Sequence, residues 1–498
     1  NTLHRKTRDF AIKNLLLFKK NNPLDSLLIK ESERLIRRQR FVSRIVISAK
    51  RVSQTSDSVD VKVRVIDSWS ITPNLNLSAN NTKVGINERN FFGFGHNLKY
   101  NFQKSLKSSD NASDISYTIP TIKNTYIETS LFYKIDLDGN YQKGVTIQRP
   151  FYSPLVRWAG GVSNIQQYYQ TVSIDTSLVE FKQNFKFDKQ DYWLGHSYQL
   201  FKGSSGIDRS TNLITSIRYL KTQYVEKPTA NYDPLQFFST EEFYLAGIGV
   251  SSRQFVQDKF LYRYGFIEDV PTGFVYGVIG GLQNKINIKR YYIGARFSLG
   301  KYYKWGYLSS NIEYGTFLNN SFSEQSAIVF KMIYFTNLLE TSNWKFRQFI
   351  KPEFTIGNDR KNSPYDELSI NDNNGIQGFN SDKLTGTKKI VVTLQTQAYS
   401  PWNLAGFRCN PYLSISMGML GNASSGFKNS KTYSQFGIGL IVSNDFLVFN
   451  SFQISLSYYP TVPGIGDNVF KNNAFKSNTF GFQEFDFSRP QIVPYLSE

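Results

Sequence analysis

The chain has 498 residues, with 58 Lys and Arg, 39 Asp and Glu and a formal net charge of +19. Phe, Tyr and Trp make up 16% of it, yet apolar residues make up only 40% and the mean hydropathy is negative. No stretch approaches the roughly 18 unbroken apolar residues of a membrane-spanning helix, which excludes a helical membrane protein. A polar chain rich in Phe and Tyr is typical of a membrane β-barrel, whose strands alternate apolar and polar side chains.

The first 74 residues form a basic head, with 16 Lys and Arg against 7 Asp and Glu and hence a net charge of +9. Apolar residues three and four apart predict one helix over Thr7–Phe18 and a second over Asp25–Arg40, with Asp25 as its N-cap. Two strands follow, over Val42–Ala49 and Val59–Val65. We expect a small α+β domain over residues 1–68.

Strand patterns recur from Ile71–Ala79 to the C-terminus, separated by turns rich in Asn, Asp, Gly and Ser. Apolar residues take every second position in Tyr291–Leu299 and Phe452–Tyr458, and also in Ile390–Ala398 except at Thr396. A tilted strand of about ten residues rises roughly 25 Å, the height of the apolar band of an outer-membrane barrel. A soluble sandwich or propeller would need a tighter core, and the sequence has no blade-like repeat. The alternation therefore predicts a mainly β chain, with a transmembrane antiparallel β-barrel over residues 69–498.

The predicted strands fall into two groups, before and after a long loop. After Leu384 we predict five strands, at about 388–400, 408–419, 433–446, 448–461 and 478–487. Before Asn358 there are thirteen or fourteen candidates, some of them short enough to be hairpin loops outside the membrane.

The head combines the order helix, helix, strand, strand with the phrases LLLFKKNNPLDSLLIKESERLIRRQRF and VDVKVRVIDSWSITP. This pattern resembles a POTRA (polypeptide-transport-associated) domain. The POTRA pattern has Gly after its first helix, where this chain has Asn21 and Asn22, and Asn tolerates the same backbone conformation. It also starts with a further strand. Because the chain begins at Asn1 and not at Met, we expect an upstream segment that would supply this strand.

Three segments of the body occur in a characteristic order. They are GINERNFFGFGHNL at 85–98, with Asn90, Gly93 and Gly95; NNGIQGFNSDKLTG at 373–386; and FRCNPYLSISMGML at 407–420. Together they resemble the BamA/TamA superfamily of outer-membrane assembly and translocation barrels. The resemblance implies that 85–98 joins the first two barrel strands and that a loop at 360–386 folds back into the lumen. It also implies that the loop tip rests on 407–420, and that the barrel has about sixteen strands.

The tip of this loop is Gly375, Ile376, Gln377, Gly378 and Phe379. The superfamily has Arg at the position of Gln377 and acidic residues where this chain has Gln395 and Ser416. Strand alternation independently puts Gln395 and Ser416 on the polar face. A lumenal Arg without a carboxylate partner would be unfavourable, and so would the carboxylates without the Arg. The absence of all three charges together is therefore physically consistent. We expect Gln377 to lie in the lumen within hydrogen-bond reach of Gln395 or Ser416, the alternative being a plain surface hairpin.

The two ends of the barrel would meet at a seam. Its residues are Pro73 and Asn76 on the first strand and Phe482, Gln483 and Phe485 on the last strand, predicted at Thr479–Phe487. Pro73 removes one hydrogen-bond donor from its edge. The odd spacing from Phe482 to Phe485 reverses the facing side and suggests a bulge. These features predict a weakly paired seam that opens towards lipid, with an ordinary closed seam as the alternative.

No motif for catalysis or ligand binding is complete. The single cysteine, Cys409, excludes a disulfide framework or a thiolate zinc site, and three His leave little for a metal centre. Asp136–Asn140 starts like a calcium loop but lacks the Gly and Glu of its later positions. Gly203–Gly206 has no nucleophile-elbow context, and there is no phosphate-binding loop. We interpret the basic side chains of Arg34–Arg38 as a solvated helix face. We therefore expect no catalytic residue, metal, cofactor or nucleic acid.

The resemblance implies a non-enzymatic protein of the bacterial outer membrane that assists insertion or translocation of polypeptides, with its POTRA domain in the periplasm. The expected partners are unfolded outer-membrane or secreted polypeptides, outer-membrane lipids, and accessory outer-membrane or periplasmic subunits. A second hypothesis makes the barrel a membrane anchor or passive pore for an effector such as a lipid hydrolase, fused upstream of Asn1 or bound as a partner. A Gly-x-Ser-x-Gly segment before Asn1 would favour the anchor.

Overall fold

The computed structural model describes residues 5–78, 80–174, 180–262, 264–320, 322–372, 375–444, 452–476 and 481–496. The chain is mainly β and forms two compact units. The first unit consists chiefly of Asn1–Gly195 and Arg218–Phe243, and the second of His196–Ile217, Tyr244–Asp445 and Phe449–Glu498. Among the described residues, no helix is both long enough and apolar enough to cross a membrane.

The first unit begins with the head. Its elements are α1 at Asp9–Lys13, α2 at Ser26–Arg37, β1 at Val42–Arg51 and β2 at Val59–Asp67. The predicted order of helix, helix, strand, strand is confirmed, although α1 has only five residues. The Asp25 side chain caps α2, since it accepts hydrogen bonds from the backbone N–H groups of Leu27 and Leu28. Asn21 has a φ of 64°, the left-handed conformation that Asn tolerates after a helix.

Seven strands of the first unit form an antiparallel meander, in which each strand from β3 to β9 pairs with the next. They are β3 at Ile71–Leu77, β4 at Asn81–Phe91, β5 at His96–Ser105, β6 at Asn111–Ile119, β7 at Glu128–Ile135, β8 at Tyr141–Arg149 and β9 at Trp158–Ile174. Next along the chain are β10 at Glu180–Gln199, the short helix α3 at Gly206–Ser210, β11 at Thr211–Glu226 and β12 at Glu241–Lys259.

The second unit continues the antiparallel pattern before and after a long loop. The strands before the loop are β13 at Ile267–Lys285, β14 at Ile288–Tyr303, β15 at Gly306–Asn319, β16 at Phe322–Thr336, β17 at Leu339–Thr341 and β18 at Trp344–Asn358. After it come β19 at Lys388–Tyr399, β20 at Asn403–Leu404, β21 at Phe407–Gly421, β22 at Thr432–Asn444, β23 at Phe452–Val462 and β24 at Gly466–Lys476. Within the described residues of the loop, Pro364–Asp366 forms a 3-10 turn. The very short β17 and β20 pair with the starts of β18 and β21.

The predicted alternation of side chains is confirmed in the strands of the second unit. On β14, Tyr291, Ile293 and Phe297 are exposed, whereas Tyr292 and Ser298 are buried. β22 and β23 follow the same rule, with exposed Ile and Leu and with buried Ser and Gln. The buried positions lie on the face of the sheet that carries the long loop, which we call the loop-bearing face. This is the reverse of a soluble sheet, which buries its apolar side.

The predicted position of the last strand is wrong. Five strands of ten residues or more do follow the loop in the described residues, but the fifth is Gly466–Lys476 and not 478–487. Residues 481–496 form no strand, and Thr479 and Phe480 lie outside the described residues. The spacing of Phe482, Phe485 and Phe487 suits an extended segment that packs on a sheet equally well, whereas β24 is polar and follows a Pro-Gly turn.

The prediction of about sixteen strands is too low for the described residues. Between Ile71 and Asn358 they contain fifteen strands of seven residues or more, against thirteen or fourteen predicted candidates. The excess arises because short segments such as β6 and β7, with nine and eight residues, are full ladder partners and not hairpin loops.

Substitution of Gly93 tests how much the turn after β4 contributes to the stability of the first unit. Gly93 and Gly139 have nearly the same left-handed backbone, with φ of +78° and +80°, so Ala at either costs about 1–2 kcal/mol. Only at Gly93 would the added Cβ lie 2.5 Å from a backbone atom, the Lys6 carbonyl oxygen. We expect Gly93→Ala to lower the free energy of unfolding by about 1–3 kcal/mol more than Gly139→Ala. Urea titration of the detergent-solubilised chain, followed by tryptophan fluorescence, measures both; equal losses would contradict the prediction.

Candidate functional site

The 85–98 segment ties the head to the sheet. Asn90 closes the turn between β4 and β5, because its side-chain oxygen accepts a hydrogen bond from the Gly95 N–H at 2.8 Å. Its side-chain nitrogen donates to the Thr7 hydroxyl at 2.8 Å, and the Arg8 N–H donates to the Gly93 carbonyl oxygen at 2.9 Å. The segment therefore joins the second and third strands of the sheet, not the first two as predicted. The reason is the mainly polar strand β4, Asn81–Phe91, which begins just before the segment and continues into it.

A pair of tyrosines holds the head from a second side. Tyr126 and Tyr152, in the turns after β6 and β8, stack with ring centroids 3.7 Å apart and 11° between their planes. The Tyr126 hydroxyl donates to the Leu15 carbonyl oxygen at 2.6 Å. Burial raises the pKa of Tyr126, and the adjacent Tyr152 raises it further, so the phenol remains a hydrogen-bond donor over the whole physiological pH range. Asn124 adds hydrogen bonds to two more carbonyl oxygens after α1.

Arg34 does not lie on a solvated helix face, so this interpretation is wrong for Arg34. It is 3% exposed and forms a bidentate ion pair with Glu31, in which Nε donates to Oε1 and Nη2 to Oε2. Its guanidinium also donates to the Tyr152 carbonyl oxygen at 2.8 Å, and the Ser153 hydroxyl donates to Glu31 at 3.0 Å. The interpretation failed because this side of α2 packs on the turn after β8. Three successive turns thus hold the head in one orientation on the first unit.

The long loop between β18 and β19 packs on the strands that follow it. Ile376 and Phe379 of its tip are fully buried. They belong to one apolar cluster, formed by Ala327, Val329, Leu368, Ile370, Ile376, Phe379, Val391, Leu420, Tyr433, Tyr459, Val462, Val493 and Tyr495. Gly418 on β21 makes room for the tip, because a Cβ there would lie 3.0 Å from Ile376. Asn373 and Asn374 of the motif lie outside the described residues.

Two strand residues that the sequence analysis missed hold the backbone of the tip. The Tyr459 hydroxyl donates to the Gln377 carbonyl oxygen at 2.6 Å, and Lys471 Nζ donates to the Gly378 carbonyl oxygen at 2.9 Å. The tip is also closed on itself, since the Gly378 N–H donates to Asp372 and the Ile376 N–H to the Ile370 carbonyl. Alternation along β23 would have found Tyr459, which shares the face of Gln453, Ser455 and Ser457.

Gln395 and Ser416 lie on the loop-bearing face, in step with Val391 and Leu420 of the apolar cluster. The hydrogen bonds predicted between Gln377 and these residues are not found within the described ranges. Gln395 instead donates to Gln397 at 3.3 Å, and the Ser416 hydroxyl lies 3.0 Å from that of Thr393. The tip is seated by its apolar side chains and its carbonyl groups, which no alignment of charged positions would reveal. A role for Gln395 and Ser416 in the lumen remains a prediction.

The predicted seam residues lie in two different environments. Pro73 and Asn76 are exposed on β3, where Pro73 faces Ile86 and Asn76 faces Lys83 of β4. Phe482, Gln483 and Phe485 are not on a strand, so their assignment to the last strand of a seam is wrong. Phe482 packs on Tyr307 and Phe335, and Phe485 is fully buried.

The hydrogen bonds to the tip of the loop predict which substitutions increase the mobility of the loop. Tyr459→Phe with Lys471→Met removes a neutral and a charged hydrogen bond, worth about 1 and about 1.5–3 kcal/mol. We expect amide hydrogen exchange in residues 375–386 to become at least tenfold faster. Gln377→Ala is the matched control, because it keeps the carbonyl group that accepts from Tyr459. Mass spectrometry of exchanged peptides measures both, and faster exchange in Gln377→Ala alone would restore the side-chain hypothesis.

No protein-family model and no curated protein sequence matches the chain. Similar solved structures include CdiB from Acinetobacter baumannii, with 12% identity, 95% of this chain and 71% of that chain covered, and a TM-score of 0.46. They also include CdiB from Escherichia coli, with 9% identity, coverage of 95% and 77%, and a TM-score of 0.40. BamA from Haemophilus ducreyi lacking POTRA domains 1–3 is a third, with 13% identity, coverage of 94% and 82%, and a TM-score of 0.35. The resemblance to the BamA/TamA superfamily therefore remains a prediction from the motifs.

Proposed function

We propose that the chain is a non-enzymatic β-barrel protein of the bacterial outer membrane, with the head in the periplasm, that assists insertion or translocation of polypeptides. One observation carries the membrane part of this proposal. The strands of the second unit expose their apolar side chains and bury small and polar ones. Across β22 and β23, Ile438 faces Leu456 and Leu440 faces Ile454, and all four are exposed. Such a continuous apolar surface would be unfavourable in water and is favourable in lipid.

A barrel follows from the same physics. Backbone groups at the edge of a sheet in lipid have no water to bind, so membrane sheets close on themselves. We therefore propose that the strands from β3 to β24 form one barrel. In it, the residues of the loop-bearing face, including Gln395 and Ser416, line the lumen.

The head supports a role with polypeptide clients. Within the described residues its sheet has only two strands, β1 and β2, so each has one edge without a partner strand. An extended client segment can add to such an edge, where main-chain hydrogen bonds bind it without regard to sequence. The hydrogen bonds to three turns of the sheet hold this edge at a fixed place beside the periplasmic ends of the strands.

The proposed exit for a client is a seam between the first and last strands, with β24 in place of the last strand that the sequence predicted. β3 has only seven residues, the fewest of the strands from β3 to β9, and Pro73 donates no hydrogen bond. A missing backbone pair in lipid costs several kcal/mol unless another strand or water replaces it. A client strand would supply that replacement.

A disulfide across the seam tests the proposed function. Leu75 on β3 and Phe470 on β24 are each 65% exposed, so cysteines there lie on the lipid side. In a Cys409→Ser chain, Leu75→Cys is combined in turn with Asn468→Cys, Phe470→Cys or Asn472→Cys. We expect at least one pair to cross-link and to slow folding of a urea-denatured outer-membrane barrel on proteoliposomes at least tenfold, with recovery on reduction.

The matched control is Leu413→Cys with Ile438→Cys. These residues face each other on β21 and β22 and are exposed to a similar degree, so their disulfide locks an interior pair of strands. The control lock should leave the folding rate unchanged. Full activity with a locked seam would contradict the lateral opening and favour a membrane anchor or passive pore.

The basic head predicts contact with anionic lipid. Basic groups near an anionic membrane surface contribute about 1 kcal/mol each, and salt screens them. In nanodiscs that contain anionic lipid, we expect slower acetylation of Lys50 and Lys62 than in zwitterionic discs, and recovery at high salt. Lys431, in the turn between β21 and β22, is the internal control and should not change. Mass spectrometry measures the acetylation rates of all three lysines. Rates for Lys50 and Lys62 that depend neither on lipid charge nor on salt would contradict the prediction.

A further inference from the structure

The C-terminal segment, residues 481–496, runs as an extended chain over the loop-bearing face of the second unit. Its apolar side chains alternate towards the sheet, where Phe485, Phe487, Val493 and Tyr495 are buried. Ile492 and Leu496, one position before Val493 and one after Tyr495, point away and are exposed. None of its residues belongs to a strand, so no ladder of backbone hydrogen bonds fixes it.

The sheet is shaped to receive these side chains through a row of glycines. Phe487 lies over Gly247, Gly249 and Gly277, Phe485 lies over Gly300, Val493 lies beside Gly315, and Tyr495 lies beside Gly357. A Cβ at any of the six glycines would lie between 2.2 and 3.2 Å from the side chain of the segment. Six such positions on five strands make a groove whose width suits an extended chain with aromatic residues.

The polar contacts of the groove go mainly to the backbone of the segment. The Ser251 hydroxyl donates to the Phe485 carbonyl oxygen at 2.6 Å. Arg296 donates to the carbonyl oxygens of Glu484 and Asp486 at 3.2 and 3.1 Å, and the Val493 N–H donates to the Tyr292 hydroxyl at 2.9 Å. Backbone groups are common to all polypeptides, so these contacts do not depend on the sequence of the occupant.

The segment is not packed as a core element along its whole length. Between the buried Phe487 and Val493, a cavity of about 140 Å³ separates it from β14 and β15. The cavity is lined by charged groups, among them Arg296, Glu313, Asp486 and Arg489. Close packing and a dry interior are typical of a permanent core. The groove therefore holds its occupant at apolar anchors on either side of the cavity and by hydrogen bonds to its backbone, from which it can be displaced.

We propose that this face is a binding groove for an extended polypeptide with aromatic residues two positions apart, and that residues 481–496 occupy it as an intramolecular ligand. A client polypeptide displaces the segment and takes its place. The role of the client rests on the proposed function, whereas the groove and its exchange of occupants do not. The segment thereby also keeps the groove filled while no client is present.

Peptide exchange tests the groove. The probe is a fluorescein-labelled peptide of residues 481–496, and its binding to the detergent-solubilised full chain is followed by fluorescence anisotropy. Phe485→Ala with Phe487→Ala removes the first apolar anchor of the resident segment and leaves the groove intact. We expect this variant to bind the peptide at least tenfold more tightly than the unmodified chain. Ile492→Ala with Leu496→Ala is the matched control, because these side chains point away from the groove, and it should bind like the unmodified chain.

A reversible lock makes the test independent of that variant. A Cβ on Gly315 would lie 2.9 Å from a Val493 methyl group, within reach of a disulfide, but 2.2 Å from the Tyr292 hydroxyl oxygen. Gly315→Cys with Val493→Cys, in a Cys409→Ser chain that also carries Tyr292→Phe to remove this hydroxyl, should abolish peptide binding when oxidised and allow it when reduced. A peptide with Ser in place of both Phe485 and Phe487 should not bind.

Equal binding to the oxidised and reduced lock would overturn the proposal, and so would equal binding to the Phe-to-Ala variant and its control. If the Phe-to-Ala variant fails to fold, as judged by heat-dependent mobility on SDS gels, the lock alone decides. No measurement here needs assembly activity. Peptide exchange together with an active locked seam would therefore retain the groove and reject the lateral opening.

Discussion

The arrangement of side chains across each strand is the constraint on which the rest of the structure depends. One face of the sheet exposes Ile, Leu, Phe and Tyr, and the other is lined by Ser, Gln, Asn and Gly. A polar face inside a protein is stable only when its groups find hydrogen-bond partners. Gln435 donates to Ser414 and Ser457 on the two neighbouring strands, and Thr393 pairs with Ser416. Because these polar groups form hydrogen bonds with side chains on neighbouring strands, small side chains are sufficient on this face. The space above them is filled by other parts of the chain.

Two segments fill that space, and they share one apolar cluster. Ile376 and Phe379 come from the loop, and Val493 and Tyr495 come from the C-terminal segment. Tyr495 also donates a hydrogen bond to the Thr387 carbonyl oxygen at the end of the loop, and the Arg360 guanidinium stacks on its ring. Displacement of the C-terminal segment would therefore remove apolar contacts from the loop. In the proposed barrel, the two lumenal elements are coupled through burial, one hydrogen bond and one cation–π contact, and the neutral residues Gln377, Gln395 and Ser416 take no part in this coupling.

Patterns that repeat along the chain could be predicted from the sequence, and contacts between distant residues could not. Periodicity placed α2, β2 and most strands after the loop, because burial on one side dictates it locally. The last strand was predicted at 478–487 instead of at β24. Residues 481–496 pack on the sheet and do not pair as a strand, because glycines some 200 residues away make room for their side chains. Arg34 was misplaced for the same reason, because its partner Tyr152 lies on a distant turn. The tip of the loop was located from its motif, but its partners Tyr459 and Lys471 meet only its carbonyl groups, which every residue carries.

The distribution of contacts in the first unit also decides where the proposed barrel can open. The head is held by the turns after β4, β6 and β8, through Asn90, Tyr126 and Tyr152. β3 carries none of these three contacts, and it is short and contains Pro73. Separation of β3 from a neighbour beyond it would therefore leave the hydrogen bonds between the head and the turns intact. A client bound at the edge of β1 or β2 would therefore keep its position relative to the opening while β3 moves. In the proposed mechanism, the part that receives the polypeptide is rigid and the part that releases it is weakly paired, and the two lie on different strands.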